Sequence, residues 1–141
     1  NGVRIKFFGR IHTLAQKLQD KMRWAEDVTK DNQKLTLSIM VSYSGRAEIV
    51  DAVKSICSQK SKNPDLEIND DLVSANLYMH EIPDPDLLIR TSGEQRLSGF
   101  LLWQSAHSEF WFCEAYWPAF REIDFLRAIR TYQLRARRFG R

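Results

Sequence analysis

Residues 86–104 read D-L-L-I-R-T-S-G-E-Q-R-L-S-G-F-L-L-W-Q, with two arginines set among small polar residues and an apolar run on each side. Leu87, Leu88 and Ile89 give a short buried-strand signal, and Phe100 to Trp103 reads as an apolar helix running from about Ser98 to Ser105. The polar stretch between them is a loop. Ser98 stands in N-cap position, so the loop is expected to deliver the chain to a helix N-terminus, whose first N–H groups lack intrahelical partners and favour an anion. Arg90 and Arg96 add planar guanidinium forks that match phosphate oxygens, which makes a phosphate or diphosphate the expected guest. Glu94 and Asp86 offer the plainer alternative of local ion pairs. The coincidence of strand, Arg90, Thr91-Ser92-Gly93, Arg96, Ser98 and apolar run favours the ligand.

Outward from this loop, strands and helices alternate. Pro83 and Pro85 force an extended approach to the strand at 86–90. Val3 to Phe8 alternates apolar and basic residues and closes on Gly9, and Ile11, Leu14, Leu18, Met22 and Ala25 recur at helical spacing over 11–28. Leu35 to Val41 is a second strand. The run Y-S-G-R-A-E-I, 43–49, turns into a helix with Ile49, Val53 and Ile56 on one face. Residues 58–70 read as a polar loop, after which Asn69 or Asp70 caps a short helix through Leu77. Glu109 to Cys113 is a fourth strand, Pro118 interrupts the chain, and Phe125, Leu126, Ile129 and Tyr132 predict a last helix laid on the sheet. The pattern predicts an α/β fold with a mostly parallel sheet flanked by helices. Ligands of such sheets sit beyond the carboxyl ends of the strands, where both 43–46 and 90–98 fall. The first strand reads as an interior member of the sheet.

A chain of 141 residues with 43% hydrophobic content suits one domain, 1–141. Its 21 basic and 18 acidic residues leave a net charge of +3, which permits an anionic ligand without demanding nucleic acid. The basic excess gathers in Arg127, Arg130, Arg135, Arg137, Arg138 and Arg141, which alternate with core-directed positions and form no RNA-binding motif, so no nucleic-acid partner is expected. Cys57 and Cys113 form no Cys-x-x-Cys, and His12, His80 and His107 lack metal-ligand spacing; they read as structural or surface residues of a cytoplasmic protein. No apolar run approaches the ~20 residues of a membrane span, and N-G-V-R-I-K-F-F-G-R is not a signal peptide, though contact with a membrane surface stays open. Trp103, Phe110, Trp111 and Phe112 are expected in the core and a subunit interface.

The run I-R-T-S-G-E-Q-R-L-S-G-F-L-L-W-Q-S-A-H-S-E-F, followed by Y-W-P-A-F and R-R-F-G-R, resembles the cis-prenyltransferases, the undecaprenyl diphosphate synthase-like enzymes that include short-chain Z-farnesyl diphosphate synthases. The likeness extends to V-R-I-K-F-F-G and Y-S-G-R-A-E-I and so spans essentially the whole chain, matching the C-terminal portion of a family member. The resemblance implies that Arg90, Arg96, Leu97 and Ser98 hold the diphosphate of isopentenyl diphosphate. It makes Glu109 a Mg²⁺-associated carboxylate, and it has Arg138 and Gly140, in the terminal Arg-Phe-Gly, reach a neighbouring subunit's site in a homodimer. The implied activity is condensation of isopentenyl diphosphate with an allylic diphosphate to give a Z-isoprenyl diphosphate. The family's Asp-Gly-Asn and Arg-Arg-Trp-Ala segment, which holds the allylic diphosphate, has no counterpart here, so the chain alone is expected to be inactive. A non-catalytic subunit that completes a partner's site is the alternative. Gln95 stands where a histidine is common, Gly99 where Asn is frequent and Ser44 where Gly is frequent.

Overall fold

Val3–Phe8 (β1) and Leu35–Met40 (β2) pair in parallel, Val3 opposite Leu35 through Phe8 opposite Met40. Gly9 ends β1 at φ +122°, where a Cβ would lie 2.1 Å from the Val41 carbonyl oxygen, so only glycine fits the turn. The other edge of β1 is closed by side chains of the helix Gln16–Thr29 (α1) and the turn after it. Thr29 Oγ1 accepts from the Ile5 N–H at 3.1 Å, Glu26 Oε1 accepts from the Phe7 N–H at 2.8 Å, and Asn32 Nδ2 donates to the Val3 carbonyl at 2.7 Å. Groups that a further strand would have paired are thereby satisfied. β1 is a capped edge rather than the interior strand that its sequence suggests.

The computed structural model describes residues 2–135, which divide into two compact units, Asn1–Ile82 and Pro83–Arg141, each considered by itself. In the first unit the helix expected over 11–28 is split into a 3-10 turn, Ile11–Thr13, and α1. Thr13 donates both its N–H and its hydroxyl to the Arg10 carbonyl, a local bond that competes with helix continuation. Gly45–Lys62 (α2) runs five residues into the stretch expected to be loop, because Gln and Lys are good helix formers and polarity alone does not end a helix. Pro64 ends it, holding Asn63 in the extended region. Asn69 caps Asp70–Ala75 (α3) as predicted, its side chain accepting from the Leu72 N–H at 2.9 Å.

In the second unit Leu87–Arg90 (β3) and Glu109–Phe112 (β4) pair in parallel, Leu87 opposite Glu109 and Arg90 opposite Phe112. The α/β class with parallel pairing is as predicted, although the described strands form two separate two-stranded sheets. The helix expected over 98–105 is absent. Ser98, Gly99 and Leu101 have φ of 51°, 80° and 45°, outside the right-handed helical region, and the run folds as successive turns closed by Phe100 N–H to Leu97 O and Ala106 N–H to Trp103 O. Ser98 is therefore no N-cap. The last helix, Glu122–Leu134 (α4), is present but rotated from the expected facing: it buries Asp124 and Ala128 and leaves Phe125 and Leu126 exposed. Asp124 is satisfied within the first turn, accepting from the Arg121 backbone and side chain and from Arg127, so a charged residue can take the inner face of the helix.

Candidate functional site

The loop after β3 is held by its own strand. Arg90 donates one guanidinium nitrogen to the Arg96 carbonyl and, at 2.8 Å, to Ser98 Oγ, folding 91–98 back over the end of β3. The Ser92 and Gly93 N–H groups donate to the Ala115 and Cys113 carbonyls, each at 2.9 Å, stitching the loop to the chain beyond β4. Those two backbone donors are spent, and no helix begins at Ser98. Any anion recognised here would consequently be held by side chains and not by a helix terminus. Arg96 is placed to take that part: its side chain is 63% exposed and, among the described residues, is paired with its near neighbour Glu94. Such an exposed pair contributes at most about 1 kcal/mol. Charge-assisted bonds to a phosphate contribute about 1.5–3 kcal/mol each, enough for such an anion to displace Glu94 from Arg96 if it bound there.

Strand alternation sets what lies beneath. Leu88, Arg90, Phe110 and Phe112 share one face of the β3–β4 pair, and the two phenylalanine rings stack at 6.2 Å. With Leu97 and Phe100 they floor a cavity of about 190 Å³ whose polar rim is Arg90 and Arg96. A guanidinium rim over an apolar floor suits an anionic head joined to a small hydrocarbon. A larger hollow of about 450 Å³ runs along β1 and α1, but two of its acids are already engaged, Glu26 with the Phe7 N–H and Asp27 with Lys30.

The structure brings together Arg90, Arg96, Leu97 and Ser98. It does not bring Glu109 to them. Glu109 opens β4, at the opposite end of the strand pair from Arg90 and on the opposite face, some ~10 Å away along the strand at ~3.3 Å per residue. Its Oε2 accepts from Arg135 at 2.8 Å, and the same Arg135 nitrogen donates to the Phe110 carbonyl at 2.8 Å. That contact has no sequence signal, because it depends on where α4 ends relative to β4. Arg138 and Gly140 lie outside the described residues. Among the described residues no three His, Cys, Asp or Glu side chains gather into a metal site. A lone carboxylate does fit Mg²⁺ carried in on a diphosphate, since that ion takes one or two protein carboxylates together with phosphate oxygens.

The loop after β2 is built differently. Glu48, 1% exposed in the first turn of α2, accepts from Tyr43 Oη at 2.5 Å and from the Tyr78 N–H at 2.9 Å. Nearby, Arg10 binds Asp51 through two bonds of 2.9 Å, and Tyr78 donates its hydroxyl to Asp51. The Arg10 bonds, helped by Tyr78, hold the Asp51 carboxyl down to about 2. Burial, followed by the bond to Asp51, pushes the Tyr78 hydroxyl up.

Residues 1–140 match the family described as "Putative undecaprenyl diphosphate synthase". The chain belongs to this prenyltransferase family. Among curated relatives, a (2Z,6E)-farnesyl diphosphate synthase of Thermobifida fusca is 51% identical over 145 residues, covering 99% of this chain and 57% of its own length. A tritrans,polycis-undecaprenyl-diphosphate synthase (geranylgeranyl-diphosphate specific) of Methanocaldococcus jannaschii is 47% identical over 144 residues, covering 99% of this chain and 51% of its own. The chain thus spans little more than half the length of these relatives. The crystal structure of lavandulyl diphosphate synthase from Lavandula x intermedia, in complex with dimethylallyl diphosphate, superposes with a TM-score of 0.93 at 35% identity, covering 99% of this chain and 61% of that one. Two departures from the prenyltransferase pattern now have a backbone explanation. Gly99 sits at φ 80°, in the left-handed region that glycine and asparagine share, and Ser44 is extended at φ −150°, where nothing requires glycine.

Proposed function

We propose that the protein carries out cis-prenyl chain elongation, joining isopentenyl diphosphate to an allylic diphosphate, and that this chain supplies the isopentenyl half of one catalytic domain. The single observation carrying this reading is the Arg90–Arg96 rim, with Arg90 held by Ser98, over the Leu88–Phe110–Phe112 floor, in a chain whose family relatives include a (2Z,6E)-farnesyl diphosphate synthase. Arg96 binds the diphosphate directly. Arg90 and Ser98 fix the loop that presents it, and Leu97 closes the cavity beside it. The apolar floor keeps the five-carbon group out of water and oriented, so that positioning supplies much of the rate.

In the reaction, the allylic C–O bond breaks and diphosphate departs. The isopentenyl double bond gives its electron pair to the allylic carbon, and a proton is then lost to form the new Z double bond. Mg²⁺, when bound, neutralises charge on the departing diphosphate, and Glu109 is the carboxylate offered to it. Since Glu109 lies away from Arg90 within its own chain, it serves a diphosphate other than the one on its own Arg96, which fits a homodimer. In this reading the Arg138-Phe139-Gly140 tail reaches the partner's site, and contact with a membrane surface comes through the lipid product. No helix of the described residues is long and apolar enough to cross a membrane. The chain alone is expected to transfer no prenyl group, the allylic diphosphate being held elsewhere in the full-length protein.

Steady-state kinetics test the assignment. In the full-length protein, Arg96→Ala should raise KM for isopentenyl diphosphate roughly 10- to 150-fold, the equivalent of about 1.5–3 kcal/mol, and change KM for the allylic substrate far less. Equal effects on both substrates would refute it.

A further inference from the structure

The proposal concerns Arg135, to which neither the sequence pattern nor the family resemblance gives a role. Arg135 closes α4 as its C-cap residue, and one nitrogen of its guanidinium bridges Glu109 Oε2 and the Phe110 carbonyl at 2.8 Å each. Both acceptors belong to the first two residues of β4. The bridge therefore does more than neutralise a carboxylate. It ties the Glu109 side chain to the backbone of its own strand, limiting the rotation that an acidic side chain at a strand start would otherwise have. Glu109 is one-quarter exposed, and among the described residues its second oxygen, Oε1, has no hydrogen-bond partner. One oxygen is held and the other presented.

We propose that Arg135 is a positioning residue that orients the Glu109 carboxylate for a divalent cation arriving with a diphosphate. The inference rests on the reading of Glu109 as a cation ligand given above. Donors that fix a ligand's orientation commonly change cation affinity by ~10- to 100-fold when removed. Electrostatics alone predicts the opposite sign, because deleting a positive charge beside a cation site should tighten cation binding. The direction of the change therefore separates an orienting role from a mere counter-charge.

The test uses the full-length protein and Mn²⁺ with inorganic pyrophosphate, the bound complex being followed by water-proton relaxation enhancement, and metal-free pyrophosphate titrated in parallel. Arg135→Ala should weaken binding of the Mn²⁺ complex about tenfold and leave metal-free pyrophosphate binding unchanged. In a Glu109→Ala background the same substitution should have no further effect, which a general loss of structure would not reproduce. Unchanged or tighter binding of the Mn²⁺ complex in Arg135→Ala, an equal loss in the Glu109→Ala background, or weakened metal-free pyrophosphate binding would each overturn the proposal. If Glu109→Ala alone leaves binding of the Mn²⁺ complex intact, the cation role of Glu109 fails first and the orienting role with it. A loss in Glu109→Ala but none in Arg135→Ala would sink only the latter.

Discussion

The loops after β2 and β3 look alike in sequence, each a strand end followed by Ser, Gly and Arg within a few residues, yet they are held in unlike ways. After β2 the chain enters a true helix, α2, and the turn is fixed from inside by Glu48, a buried carboxylate that accepts from Tyr43 and from the Tyr78 backbone. After β3 no helix forms. The loop is fixed from its rim by the solvent-facing side chains of Arg90 and Arg96, and its backbone donors are turned towards 113–115. A buried carboxylate commits the first loop to stability, whereas in the proposed reading the solvent-accessible guanidinium groups leave the second able to exchange its internal partners for a ligand.

Substitutions at the two loops should therefore fail in different assays. The largest stability effect is expected for Glu48→Ala, which removes the buried acceptor of two half-buried donors and should cost about 3 kcal/mol in denaturant unfolding. A loss under about 1 kcal/mol would erase the contrast between the loops. Next in size, Arg90→Ala should change unfolding free energy by less than about 1 kcal/mol, as expected for a half-buried side chain whose hydrogen bonds are open to solvent. It should still weaken isopentenyl diphosphate binding by tenfold or more, the equivalent of at least about 1.4 kcal/mol, because the loop that presents Arg96 is released. Comparable losses of stability in both variants would mean that the two loops are built alike.

A smaller effect sharpens the first side of the comparison. Asp51 is depressed from about 3.9 in the unfolded chain to about 2 in the fold, first by its bonds to Arg10 and then by Tyr78. A depressed carboxylate contributes stability that is present above the unfolded value and disappears as pH falls through the folded one. The stability profile should decline between about pH 4 and pH 2, and Asp51→Asn should flatten that limb; an unchanged acid limb in the variant would remove Asp51 from the account. Smallest of all, Gly99→Asn should cost only a few tenths of a kcal/mol, and Gly99→Ala about 1, because asparagine tolerates the left-handed region better than alanine. The reverse order would contradict the φ of 80° at that position.

What could be read in advance follows from how local each determinant is. β1, β2, β3 and β4 are marked by short alternating or apolar runs, and the Asn69 cap lies within a few residues of what it controls, whereas α2 ends later than expected because its polar residues read as loop. That Arg90, Arg96 and Ser98 come together was legible because all lie on one loop. The turns at 98–107 were not: Phe100 to Trp103 is apolar enough to be read as a helix, and only the positive φ at Ser98, Gly99 and Leu101 rules one out. Strand register is equally silent. Register places Glu109 opposite Leu87 and away from Arg90, and the approach of Arg135 to Glu109 depends on where α4 ends, with a facing unlike the one expected from Phe125 and Leu126.

The central claim is that Arg96, presented by Arg90 and Ser98, binds the diphosphate of isopentenyl diphosphate. Isothermal titration of the full-length protein with isopentenyl diphosphate, in the absence of any allylic substrate, tests it most directly. Arg96→Ala should raise Kd roughly 10- to 150-fold, and Arg96→Lys, which keeps the charge without the planar fork, should fall between the two. An Arg96→Ala protein that binds isopentenyl diphosphate as tightly as the unaltered one would contradict the account.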